Sequence, residues 1–225
     1  PTLILEACLL LLVAPGLLIP LLELGGRRKH SSKVAIVCLS ACLILSALLI
    51  PSIPREGSEA FGGLIFLDRL SAYMAMVSTL GALLVALASV PEVGEWSTAA
   101  SGCSRMLLAL AGVYLMLFVG DISVLLGAWA LVAVASYVLA GIAKDMRSVE
   151  GAAKYGTMGA ASSSLLIYGL AILMGLTGSS SLSAAPGGQA GVLLMSALLL
   201  IASFGFKIGL FPFHGWMPDV YGGVR

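Results

Sequence analysis

Residues 191–219 read GVLLMSALLLIASFGFKIGLFPFHGWMPD, and the fold is decided there. From Gly191 to Phe211 the stretch is apolar and long enough to cross a bilayer, apart from Lys207. Pro212 then interrupts it, and the chain passes through Phe213, His214, Trp216, Met217, Pro218 and Asp219 before Arg225. A lone amine at membrane depth costs several kcal/mol by most estimates and commonly marks an ion or proton path. A proline-broken membrane helix is tolerated only against packed protein or a cavity. The two together point to proton or ion handling in a membrane.

Composition agrees. The 225 residues are 60% hydrophobic and 10% charged, with a mean hydropathy of +1.07. Soluble domains average about 25% charged residues, so the chain reads as an integral membrane protein. A net charge of +1 gives no reason to expect nucleic acid as a partner. Cys8, Cys38, Cys42 and Cys103 lack metal-ligand spacing and read as small apolar filler. No glycine-rich nucleotide loop, redox motif or haem signature is present in the sequence, so no cofactor is expected on this chain.

About 20 apolar residues at 1.5 Å rise span the hydrocarbon layer. On that measure the spans run near residues 2–24, 34–50, 67–90, 106–119, 122–143 and 151–176, with the broken seventh starting near Gly191. The first is long for a signal peptide and lacks a basic leader, so it reads as a mature helix. Pro91 is expected to stop the third span, and Gly120-Asp121 to turn tightly into the fifth. The stretch holding Pro51, Pro54 and Gly57 reads as a polar connector, and the Ser/Gly-rich segment from Thr177 to Gln189 as a plain loop. Simple alternation puts Arg27, Arg28, Lys29, Lys33, Arg105, Lys144 and Arg147 on one side, against Arg55 and Arg69 on the other. The positive-inside rule then places the N-terminus outside and Arg225 inside. Gly151, Gly156, Gly159 and Ser162 to Ser164 supply a small-residue face for close helix packing.

Lys207 has two readings. Its stem could snorkel so that the amine reaches a headgroup. The reading preferred here is an amine in a protein-lined cavity that loads and releases a proton. His214 suits a relay, or a hydrogen bond to carbonyls freed at the break. Lys154 either snorkels from the start of the sixth span or serves as a relay. Trp216 and Phe213 read as packing for the break, Asp219 as a cap for the next helical stretch, and Asp68-Arg69 as a charge pair at a helix start. Glu6 and Asp68 are the carboxylates to test as partners for Lys207.

Residues 206–221, FKIGLFPFHGWMPDVY, resemble the broken seventh helix of the antiporter-like subunits of respiratory complex I, subunit N above all. Residues 147–155, RSVEGAAKY, with AASSS at 160–164 and Tyr168-Gly169, resemble the sixth helix of that subunit. FLDRLSA at 66–72 is similar to the start of the third. Related subunits occur in multi-subunit sodium/proton antiporters and membrane-bound hydrogenases, which remain alternatives, as does a non-pumping scaffold.

The resemblance implies an all-α, polytopic bundle of inverted repeats. Residues 1–104 would hold helices 1–3 with their connectors, and residues 105–225 an incomplete first repeat, from helix 4 to the broken helix 7. It further implies a non-redox membrane subunit of a proton-translocating NADH:quinone oxidoreductase in a prokaryotic inner membrane. Quinone, flavin and iron-sulfur clusters would sit elsewhere in the complex. The implied partners are other membrane subunits, lipids, and protons or sodium ions. Lys207 would be the proton-loading residue, with His214 and Lys154 as relay candidates.

Two departures stand out. The family motif carries a glutamate on the fifth helix, but residues 127–137 read GAWALVAVASY, placing Ala130 or, one register over, Trp129 at that point. The chain also shows no second copy of the lysine motif, as expected of a fragment or split subunit.

Overall fold

The computed structural model describes residues 1–24, 31–93, 99–185, 187 and 189–223. Arg27, Arg28, Lys29 and Arg225, which enter the orientation argument, lie outside the described residues. The described fold is a helical bundle: α1 Thr2–Leu24, α2 Ser31–Ser52, α3 Arg69–Val93, α4 Ala99–Leu117, α5 Ile122–Ala140, α6 Met146–Thr177, α7 Ala190–Lys207 and a short α8, Met217–Gly223. Among the described residues seven helices, α1 to α7, are long and apolar enough to cross a membrane.

Lipid is as apolar as leucine, so hydrophobicity alone does not drive helices together there. Large apolar side chains such as Leu10, Leu17, Val37, Leu84 and Ile201 accordingly point outward. Inside the bundle, large side chains such as Leu12, Leu39, Leu107 and Phe118 pack among small ones. Ala35, Ala72, Ala75, Ala100 and Ala111 are buried where α1 to α4 pack together. The Tyr114 hydroxyl joins three of those helices, 2.7 Å from Thr79 Oγ1 and 3.4 Å from Cys42 Sγ. Between α6 and α7, Ser196 Oγ donates to the Gly169 carbonyl (2.7 Å) and Ser162 Oγ to that of Ser203 (3.1 Å). A side chain on Gly169 would press on Leu200 at 3.0 Å, so the small residue sets the helix separation.

The connectors at one end are more ordered than the sequence suggests. Ser58–Ala60 (β1) and Ile65–Leu67 (β2) form an antiparallel hairpin, with Ser58 opposite Leu67 and Ala60 opposite Ile65. Phe66 N donates to Phe118 O (2.9 Å) and Gly120 N to Leu64 O (3.0 Å), which brings the α4–α5 turn beside β2. On the far side of that turn, Ile122 N donates to Ser180 O and Leu182 N to Gly120 O. Three connectors thus close one end with backbone hydrogen bonds, which satisfies groups that lipid cannot. Their meeting also shows that the helices alternate in direction. Arg55 and Arg69 lie toward this end, and Lys33, Arg105, Lys144 and Arg147 toward the other.

Some boundaries differ from the sequence reading. α3 continues through Pro91 to Val93, and Pro15, Pro20 and Pro51 also lie inside helices. Membrane helices tolerate proline where freed backbone groups find other partners. Asp68 and Arg69 do not pair with each other. Asp68 Oδ2 accepts from Ser71 N (3.1 Å), while Arg69 Nε donates to the Ile53 carbonyl (3.0 Å), because backbone partners are nearer at a helix start.

Asp121 caps α5, its side chain accepting from Ser123 N at 2.8 Å. Hydrogen bonds from Ser123 and Ser180 hold its carboxyl below the usual aspartate value. The stability this adds is therefore present above the ordinary carboxylate range and lost as pH falls through the lowered value. Asp121→Ala should cost about 1 kcal/mol at neutral pH, seen as a lower melting midpoint of the purified protein. The gap from wild type should close in acid; a gap that widens there would contradict the capping role.

Candidate functional site

The break begins earlier than Pro212. α7 ends at Lys207, and Gly209, at φ +67°, takes the left-handed turn after it. Gly209 N donates to Phe206 O (3.1 Å) and Leu210 N to Gly205 O (2.8 Å), the paired bonds of a Schellman end. A glycine needs no Cβ in that conformation, so Gly209 stops the helix before the proline is reached. Lys207 is thereby the last helical residue, at the negative end of the α7 dipole.

Its amine does not snorkel. The Lys207 Nζ atom is buried and has no hydrogen-bond partner among the described residues. Three ring faces surround it: Trp129 at 5.4 Å and Tyr137 at 5.3 Å from α5, and Tyr155 at 5.6 Å from α6. All lie within the roughly 6 Å over which a ring face attracts a cation. On α5, Trp129 and Tyr137 stand two helical turns apart with small, buried Ala133 midway between them. On α6, the matching positions are Ser163, Gly159 and Tyr155. Trp129 Nε1 donates to Ser163 Oγ at 2.9 Å. The Tyr137 hydroxyl lies so close to Gly159 that a side chain there would overlap it. The Tyr137 and Tyr155 rings meet edge to face at 4.7 Å. Trp129 also meets Phe204 of α7 edge to face at 5.4 Å.

Trp129 is buried and faces the amine, whereas Ala130 points outward. No carboxylate pairs with Lys207 among the described residues. Glu6 is partly exposed on α1, and Asp68 caps α3.

The other site residues lie apart from the amine. Lys154 is half-exposed near the start of α6 and pairs with Glu150 (2.9 Å) and Asp219 (3.0 Å). Asp219 is therefore not a helix cap: it sits inside α8 and ties that helix to α6. The pairs border a polar cleft lined by Arg147, Glu150, Lys154 and Asp219. His214 is exposed, its ring 5.7 Å from that of Phe211. Trp216 is buried and bridges the break, donating from Nε1 to the Phe206 carbonyl (3.1 Å) and stacking on Tyr155 at 4.4 Å. A side chain on Gly151 would come within 2.9 Å of the Asp219 carbonyl, so α8 seats directly on the α6 backbone.

The sequence reading did not anticipate the ring cluster. The signal was present in the spacing: aromatics eight apart on α5, and Tyr155 on the next helix, can converge on one buried point.

Residues 120–224 match the family model described as NADH:quinone oxidoreductase/Mrp antiporter, transmembrane. NADH-quinone oxidoreductase subunit N of Deinococcus radiodurans is 36% identical over 180 residues, covering 76% of this chain and 36% of that protein. Subunit N of Rhodospirillum rubrum is 32% identical, covering 96% and 46%. F420H2 dehydrogenase subunit N of Methanosarcina mazei is also 32% identical, covering 95% and 46%. A chain of respiratory complex I from Thermus thermophilus superposes with a TM-score of 0.80 at 27% identity, over 95% of this chain and 47% of that one. The Mrp complex from Dietzia shares the fold, with a TM-score of 0.77 at 23% identity, over 98% and 44%. The chain belongs to the antiporter-like membrane subunits of the complex I type, the family that includes subunit N. It spans less than half the length of these relatives.

Trp216→Ala should loosen the broken segment by about 3 kcal/mol, the cost of emptying a large buried aromatic site. A lower melting midpoint and faster proteolysis between residues 208 and 216 would show it. An unchanged cleavage pattern would contradict the bridging role.

Proposed function

We propose that this chain is part of a proton-translocating subunit of a complex I-type oxidoreductase, in which Lys207 takes up and releases the proton. The supporting observation is the amine at the end of α7, enclosed by protein and without a carboxylate partner among the described residues. A buried amine with no permanent partner is a group whose charge can be changed by a small change around it. A chain of that family is expected to pass this change along the membrane through neighbouring subunits. Electron transfer would take place on other subunits carrying flavin, iron-sulfur clusters and quinone, from NADH or a related donor.

In the same proposal Lys154 and His214 are relay stations on the α8 side of the break, with the polar cleft at Lys154 as the approach. The N-terminus is outside a prokaryotic inner membrane, and the end carrying Lys33, Arg105, Lys144 and Arg147 faces the cytoplasm. Residues 1–104 form the leading helices, and residues 105–225 the first part of the repeat. Sodium transport in an antiporter assembly is the neighbouring reading within the family. A scaffold that no longer pumps is favoured by one observation, the absence of a carboxylate at both Trp129 and Ala130, the two positions the resemblance offers for the fifth-helix glutamate.

Lys207→Met in the intact assembly should lower the number of protons moved per electron pair while leaving electron transfer from donor to quinone in place. Proton uptake and donor oxidation measured together in membrane vesicles test this. An unchanged ratio would favour the scaffold, and transport that follows sodium rather than pH would favour the antiporter.

A further inference from the structure

We infer that Trp129, Tyr137 and Tyr155 form an aromatic cage that holds the Lys207 ammonium without a carboxylate. This rests on the proton-loading reading for its purpose, but its geometry stands independently.

Three ring faces from two helices lie 5.3 to 5.6 Å from one buried nitrogen. The face of an aromatic ring carries partial negative charge, so each attracts a cation and does little for a neutral amine. The rings are also fixed in place. Trp129 is anchored by Ser163, Tyr137 is seated on Gly159, and Tyr155 is clamped between Tyr137 and Trp216. Among the described residues, the side chains facing the amine include no acid. From α5 they are Trp129 and Tyr137, with Ser136 bonded to the Tyr155 hydroxyl at 3.3 Å. From α6 they are Tyr155 and, behind Trp129, Ser163. From the broken segment, Trp216 turns its indole N–H to the Phe206 carbonyl, and His214 is exposed.

The difference from a carboxylate is physical. An ion pair binds a proton-carrying amine strongly and gives it up only when the acid moves or is neutralised. Ring faces bind more weakly, over a broader region, and carry no proton of their own. In such a cage no carboxylate competes for the proton, and small ring displacements are enough to alter the amine's hold on it. Positions 129, 137 and 155 are therefore positioning residues for proton loading.

The test reads the protonation of Lys207 directly, without relying on pumping. In the intact assembly, acetylation of Lys207 by acetic anhydride is followed against pH by mass spectrometry, since only the neutral amine reacts. Tyr137→Phe keeps a ring face and should leave the profile within a few tenths of a pH unit of wild type. Tyr137→Leu should move its midpoint about one unit toward acid, a roughly tenfold weaker hold on the proton. Tryptophan fluorinated stepwise at position 129 keeps the shape while draining the ring face, and should shift the profile in graded steps. Coincident Phe and Leu profiles, or no response to fluorination, would overturn the cage. Lys207→Met pumping measurements report separately on the proton-loading reading, so either idea can fail without the other.

Discussion

An ammonium surrounded by hydrocarbon has to be enclosed, and the arrangement of α5, α6 and α7 follows from enclosing the one on Lys207. Insertion scales place the cost of a lysine at the middle of a membrane helix near 2.5–3.5 kcal/mol. A desolvated ring face returns up to about 2 kcal/mol, and the negative end of a helix about 0.3–1 kcal/mol. Three rings and the α7 terminus together are of the same order as the cost. These contributions do not simply add, but the comparison shows that a carboxylate is not the only means of keeping this charge inside.

The break in the seventh span serves the same end. Gly209 stops α7 at Lys207, so the amine extends from a helix terminus rather than from mid-helix. Trp216 then returns across the gap to the Phe206 carbonyl and stacks on Tyr155. The ring touching the amine and the ring closing the break are therefore in contact, which couples the position of α8 to the walls of the cage. Lys154 reinforces the seat of α8 through Asp219, although exposed ion pairs of that kind contribute modestly.

The fold was largely legible in the sequence, because seven long apolar runs leave little freedom in how a chain crosses a membrane. Lys207 was legible for the same reason: a single amine in such a run is conspicuous. What was not legible depended on neighbours distant in the chain. The hairpin at residues 58–67 is built from short segments whose pairing is completed by Phe118 and Gly120. Asp219 resembled a cap until α6 brought Lys154 to it. At positions 129 and 130 the sequence showed only that no acid is present. That Trp129 turns its ring to the amine became visible once Tyr137, Tyr155 and Lys207 were seen to converge with it.

The central claim is that the Lys207 nitrogen lies inside protein walls made of rings. A structure of the whole assembly, at a resolution that shows ordered water, tests it most directly. The account predicts the nitrogen within about 6 Å of the Trp129, Tyr137 and Tyr155 rings, with a hydrated route reaching it from the α8 side. A nitrogen found among lipid headgroups, or held by a carboxylate with the rings turned away, would contradict it.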